Sequence, residues 1–169
     1  PLPTMQERFG VRCCGIAAYP MYKGLARLAG MAVDDRAKTP ADLVAVLKDR
    51  WADFDYFFVH YKYTDSSGED GDFERKVRMI EECDALLPAI EALRPDVLAV
   101  TGDHSTPAVM KGHSWHPVPA LLHSRHCLAD GLPGFDEVSC ARGTLGQRPT
   151  LHLMALLLAN ALRLTKYGA

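Results

Sequence analysis

Two short stretches hold most of the residues that could do chemistry. One is Thr64-Asp65-Ser66-Ser67-Gly68-Glu69-Asp70-Gly71-Asp72, with four carboxylates in eight residues. The other is Thr101-Gly102-Asp103-His104-Ser105-Thr106-Pro107, followed by His113-Ser114-Trp115-His116-Pro117-Val118-Pro119. Five of the seven histidines fall between His104 and His126. Carboxylate oxygens and imidazole nitrogens together suit divalent ions, and crowded carboxylates repel one another unless cations or water compensate them. Adjacent side chains leaving a strand diverge, so Asp103 and His104 can address two neighbouring ions. Each stretch alone has a plainer explanation. An acidic Ser/Gly loop is ordinarily a solvated connection that caps the next helix, Asp-His after an apolar strand can be a turn, and a lone His113 or His116 is commonly an exposed histidine. The conjunction of the two favours a metal site.

The elements around them must bring the two stretches together. Val11 to Ala18 reads as a strand and Met21 to Gly30 as a helix. Thr39-Pro40-Ala41-Asp42 is a helix start, with Thr39 as cap, Pro40 in the first turn and Asp42 at the positive dipole end. That helix runs to about Trp51. Asp55 to Tyr63 has five aromatics and a valine in nine residues, a strong strand signal. Thr64 to Asp72 reads as a loop. Phe73, Val77, Ile80, Leu87 and Ile90 then give one long amphipathic helix with a kink at Pro88. Asp96 to Thr101 is an apolar strand that opens into the loop Gly102 to Pro119, Ala120 to His123 is a further short strand, and Thr150 to Leu164 is a final helix. This alternation predicts an α/β fold with a mostly parallel, helix-covered sheet. Both chemistry-bearing loops leave carboxyl ends of strands, the edge where open α/β sheets bind ligands.

Composition excludes several classes. The 169 residues are 48% hydrophobic and 24% charged, which fits one globular domain and neither disorder nor a fibrous repeat. Net charge is −2 with no basic stripe, so neither nucleic acid nor an anionic membrane is an expected partner. The five cysteines lack a C-x-x-C pair, as in reduced cytosolic proteins. The longest apolar run, Leu153 to Ala159, is too short to cross a bilayer. A cytoplasmic protein is expected. The first residue is Pro1 rather than methionine, which leaves open a preceding segment.

The segment from His60 through Asp72, then Thr101 to Pro107 and His113 to Pro119, resembles the carboxy-terminal part of the archaeal-type 2,3-bisphosphoglycerate-independent phosphoglycerate mutases, of the alkaline phosphatase superfamily. Tyr22-Lys23-Gly24-Leu25-Ala26-Arg27-Leu28-Ala29-Gly30-Met31 resembles the family's lysine-glycine helix, so the likeness runs in order along most of the chain. It implies an incomplete alkaline-phosphatase-like core, with residues 1–169 as the carboxy-terminal part of the metalloenzyme domain and the amino-terminal half absent. It implies two divalent ions, manganese first, zinc or magnesium as alternatives. By motif position Asp65 and His113 belong to one ion, Asp103 and His104 to the other. Lys23 or Lys62 would meet the substrate's phosphate or carboxylate. The reaction implied moves a phosphoryl group of 3-phosphoglycerate through an enzyme serine to the 2-position, giving a glycolytic isomerase with phosphoglycerate as ligand.

Two positions depart from the pattern. Glu69 stands where the family usually has histidine; its anionic oxygen still binds a divalent ion, with preference moved toward manganese or magnesium, or else one site has decayed. The family's nucleophilic serine and another aspartate ligand have no counterpart in this chain; Ser66, Ser67, Ser105 and Ser114 read as loop or turn residues. The expected partner is therefore the absent half or another copy of the chain, pairing with an unfilled sheet edge, and the chain by itself is expected to be inactive. The alternatives are a metal-dependent phosphomonoesterase or phosphotransferase of the same superfamily, and a degenerate non-catalytic binding module.

Overall fold

A computed structural model describes residues 2–164; the ends of the expected 1–169 domain lie outside the described residues. After a short helix, α1 (Met5–Phe9), strand β1 (Cys13–Ala17) runs between two parallel neighbours, β2 (Ala32–Val33) and β3 (Tyr56–His60). Helix α2 (Pro20–Leu28) links β1 to β2, and α3 (Pro40–Arg50) links β2 to β3. The period-two alternation of β1 explains its two-sided burial. Cys14 and Ile16 face Ala37, Leu43, Val46 and Leu47, while Cys13 packs with Val11 and Leu158 on the other face. Beyond β3 come α4 (Tyr63–Asp70), α5 (Phe73–Asp84) and α6 (Leu87–Glu91). Strand β4 (Val97–Thr101) pairs antiparallel with β5 (Ala120–Ser124) in a separate two-stranded ladder. A short helix α7 (Glu137–Cys140), a 3-10 turn (Thr150–His152) and α8 (Leu153–Asn160) follow.

The α/β class and the parallel sheet are as the sequence predicts, and the Thr39 cap forms with Asp42 as its reciprocal partner. Several boundaries differ for physical reasons. The stretch expected as the loop Thr64 to Asp72 is mostly helix α4, closed by Gly71 at φ +73°. The single helix expected from Phe73 past Pro88 is two. Pro88 lacks an N–H and crowds the carbonyl four residues back, so α5 stops at Asp84 and α6 restarts with Pro88 in its first turn. The final helix ends at Asn160 rather than Leu164, with Leu162 at φ +56°.

Two close approaches position the functional elements. A Cβ on Gly15 would lie 2.6 Å from the Ala26 Cβ, so glycine in β1 lets α2 sit directly on the sheet. A Cβ on Gly68 would lie 2.2 Å from the Thr106 carbonyl oxygen, so glycine in α4 lets the loop after β4 rest on that helix.

Candidate metal centre

Helix α4 sets the first half of the site. It begins within three residues of the end of β3, and its turn spacing places Asp65 and Glu69 on one face. The loop after β4 supplies the second half. It is pinned by a bridge between Ser105 and Ser114, and the Ser105 hydroxyl donates to the His116 carbonyl at 3.1 Å. The Lys76 ammonium of α5 donates to the Thr106 carbonyl at 2.5 Å.

These supports bring all five expected ligand residues together. His113 Nε2 lies 3.6 Å from Asp65 Oδ1 and 3.6 Å from Glu69 Oε1. His104 Nδ1 lies 3.9 Å from Asp65 Oδ1, and His104 Nε2 lies 3.6 Å from Asp103 Oδ2. The two imidazoles are 3.8 Å apart at their centroids. One donor atom each from Asp65, His104 and His113 fall within 4.8 Å of one another. The 3.6 Å separations are too long for hydrogen bonds, yet they suit ligands around a shared ion: donors ~2.1 Å from a tetrahedral cation lie ~3.4 Å from each other. The donor set, oxygens with imidazole nitrogens, fits a divalent transition ion or magnesium.

Hydrogen bonds prepare the site. The Thr106 hydroxyl donates to Asp65 Oδ1 at 2.5 Å and lies 3.1 Å from His104 Nδ1. A hydroxyl has one proton, so toward His104 it accepts. Neutral His104 is thereby held as the Nδ1–H tautomer, with the Nε2 lone pair free on the Asp103 side. Tyr22 of α2 donates to Asp103 Oδ2 at 2.5 Å, with its ring stacked 3.4 Å from that of His60. Burial would raise the Asp65 pKa, but hydrogen bonds from Lys62 and Thr106 outweigh it and leave the group below its ordinary value. For Asp103 burial is likewise outweighed, by the Tyr22 hydroxyl and neighbouring donors. Both are anions at neutral pH. Burial drives the Tyr22 phenol up, with the Asp103 hydrogen bond adding to it, so it stays protonated as a donor.

Both lysines are paired with carboxylates of this chain. Lys23 is buried, and its ammonium is held by the Asp35 and Ala37 carbonyls, each at 3.4 Å, and by the Asp35 carboxylate. It ties α2 to the segment before α3. Lys62 donates to Asp65 and lies 3.8 Å from Glu69 Oε2, so it is part of the cluster. Of the four serines, Ser67 is fully buried with its hydroxyl on the Tyr63 carbonyl, and Ser114 pairs with His116. Thr106 and Tyr22 escaped sequence reasoning as site residues, because the carboxylate each holds lies 41 or 81 residues away.

A family model described as the metalloenzyme superfamily matches residues 2–160. The chain belongs to the metalloenzyme superfamily. Among curated relatives, a probable 2,3-bisphosphoglycerate-independent phosphoglycerate mutase of Aquifex aeolicus is 57% identical over 99% of this chain. The protein of the same name from Deinococcus radiodurans is 49% identical. The chain spans 42% of the length of each. A solved protein structure from Pyrococcus horikoshii superposes on all of the chain and 54% of its own, with a TM-score of 0.94 and 28% identity. A cofactor-independent phosphoglycerate mutase from Thermoplasma acidophilum shares the fold, at a TM-score of 0.75 and 24% identity.

Proposed function

We propose that this chain supplies the two-ion centre of a phosphoglycerate mutase. Asp65, Glu69 and His113 hold one divalent ion, and Asp103 and His104 the other. The observation that carries this reading is the convergence of these five side chains at ligand-like separations from two distant stretches. Manganese is the first candidate, because Glu69 adds a hard oxygen to an otherwise mixed donor set. Bound ions would lower the pKa of an attacking serine hydroxyl and neutralise charge on the transferring phosphoryl oxygens.

The protein's own residues divide the remaining work. Thr106 and Tyr22 fix the carboxylates, and Thr106 sets the His104 tautomer. The chain spans 42% of its Aquifex relative, and the serine that carries the phosphoryl group between the 3- and 2-positions of phosphoglycerate comes from further polypeptide. Among the described residues β3 and β4 each pair on one side only, which leaves sheet edges for that polypeptide, or another copy of the chain, to fill. A glycolytic isomerase of the cytoplasm fits these features, and no helix among the described residues is long and apolar enough to cross a membrane.

The test uses the full natural protein that carries this sequence, loaded with manganese. It is expected to interconvert 3- and 2-phosphoglycerate, with Asp65→Ala and Asp103→Ala each losing at least ~100-fold. Release of free phosphate without isomerisation would reassign the centre to a phosphatase; absence of divalent binding would overturn it.

A further inference from the structure

The Asp65 and Glu69 carboxylates are each divided between two neighbours. Asp65 Oδ1 accepts from Thr106 and faces His104 and His113, while Oδ2 accepts from Lys62. Glu69 Oε1 lies 3.6 Å from His113 Nε2, while Oε2 lies 3.8 Å from Lys62 Nζ. One ammonium therefore bonds the outer oxygen of Asp65 and lies within ion-pair reach of the outer oxygen of Glu69, and the inner oxygens face the histidine side. Lys62 is itself held: its ammonium lies 5.5 Å over the Tyr19 ring, a cation–π contact from α2's N-cap residue. Its side chain is 22% exposed, against 48% for Glu69, so it is the better buried of the two.

We propose that Lys62 is a positioning residue that makes both carboxylates bind a divalent ion through one oxygen each, and so selects against calcium. The proposal rests on the metal-centre reading above. Calcium takes six to eight oxygens and commonly uses both oxygens of a carboxylate. Zinc takes four ligands, each carboxylate able to supply a single oxygen, and small octahedral ions likewise need only one. With the Asp65 outer oxygen bonded by the ammonium and that of Glu69 drawn toward it, the centre has too few oxygens for calcium and enough for manganese, magnesium or zinc. Lys62 also offsets one of the two negative charges, but that effect is shared by every divalent ion. A charge effect changes all affinities together; a denticity effect changes their ratio.

Chelator-competition titrations of the metal-free full natural protein with zinc, manganese and calcium separate the two. In Lys62→Met the calcium-to-zinc ratio of dissociation constants should narrow by at least ~10-fold as both carboxylates become free to bind through two oxygens. Lys62→Arg, which can still reach the outer oxygens, should keep the ratio within about threefold of wild type. Equal changes for all three ions, or none, would overturn the proposal while leaving the metal centre standing. Failure of the wild-type protein to bind any of the three would instead overturn the metal centre. Should Lys62→Met not fold, infrared spectra of the manganese-loaded wild type decide. Carboxylate stretches widely split, as for single-oxygen binding, support the proposal, and narrowly split two-oxygen bands overturn it.

Discussion

The molecule contains two carboxylate clusters built on opposite plans. Near the start of α3, Asp34 is only 8% exposed and is saturated by arginines. Arg36 bonds both of its oxygens, with Nε to Oδ1 at 3.0 Å and Nη2 to Oδ2 at 2.8 Å, Arg50 approaches at 3.5 Å, and Asp49 takes the far end of Arg36 at 2.7 Å. No oxygen of Asp34 is left for anything else. At the strand ends, Asp65 and Asp103 are held by a lysine, a threonine and a tyrosine, and each still turns an oxygen toward imidazole nitrogens too distant to hydrogen-bond. A carboxylate that serves folding spends all its lone pairs on fixed donors, and one that serves an ion keeps some in reserve.

The sharpest way to break this contrast is to disturb the site without touching a ligand. Gly68→Ala would place a Cβ 2.2 Å from the Thr106 carbonyl, which is backbone and cannot swing aside. The loop carrying His104 and His113 must then lift off α4. Divalent affinity should fall by ~10- to 100-fold, the range for lost supporting contacts, measured by the same chelator competition. If affinity survives while the variant stays folded, the loop and α4 do not form one site.

Asp34→Ala sharpens the comparison from the other side. It removes the charge-assisted bonds of Arg36 and should cost about 2 kcal/mol in urea unfolding, moderated because Arg36 remains largely solvated. Divalent binding should be unchanged. A loss of both would mean that the two clusters are coupled.

Acid should dissect the two regions in order. Burial holds His60, beside Tyr22 and Phe58 and near Asp103, Lys62 and Asp65, down to about 4 from its ordinary 6.5, and its Nδ1 is buried without a partner. The unfolded chain therefore takes up this proton first, so the stability His60 contributes is complete above pH 6.5 and lost as pH falls to about 4. The hydrogen bonds of Arg36 hold Asp34 down to about 2, against its burial. Its contribution is complete above 3.8 and is lost as pH falls toward 2. Urea midpoints across pH should show two windows, with His60→Phe removing the upper and Asp34→Ala the lower.

What could be read from the sequence follows from where the information is local. Strands β1, β3 and β4 announce themselves through apolar and aromatic runs, and the candidate ligand residues through their types. Helix α4 does not. Its sequence Tyr63-Thr64-Asp65-Ser66-Ser67-Gly68-Glu69-Asp70 has no apolar stripe and several weak helix formers. It holds because Ser67 and Gly68 are buried, Gly68 against the loop after β4, and Gly71 closes it. That helical turn is what aligns Asp65 with Glu69, so the relation between these two candidate ligands was hidden although both were visible. The lysines meet the same limit: a side chain's type says what it can bind, and only the packing shows that Lys23 pairs with Asp35 and Lys62 with Asp65.

The mildest probe is Tyr22→Phe. The ring stack on His60 survives, so α2 should keep its seat against the sheet, and only the hydroxyl bonded to Asp103 at 2.5 Å is lost. Asp103 is 55% exposed, so water can replace part of that bond, and the expected cost is about 1 kcal/mol, or roughly fivefold in affinity for the ion on the Asp103 and His104 side. The ion on the Asp65, Glu69 and His113 side should not change, since Tyr22 touches none of its ligands. Titrating manganese by paramagnetic resonance counts the two ions separately. A uniform loss at both would mean that Tyr22 acts through the fold of α2 rather than through Asp103. Loss confined to one would place α2, a helix from the opposite end of the sequence, among the determinants of the second ion alone.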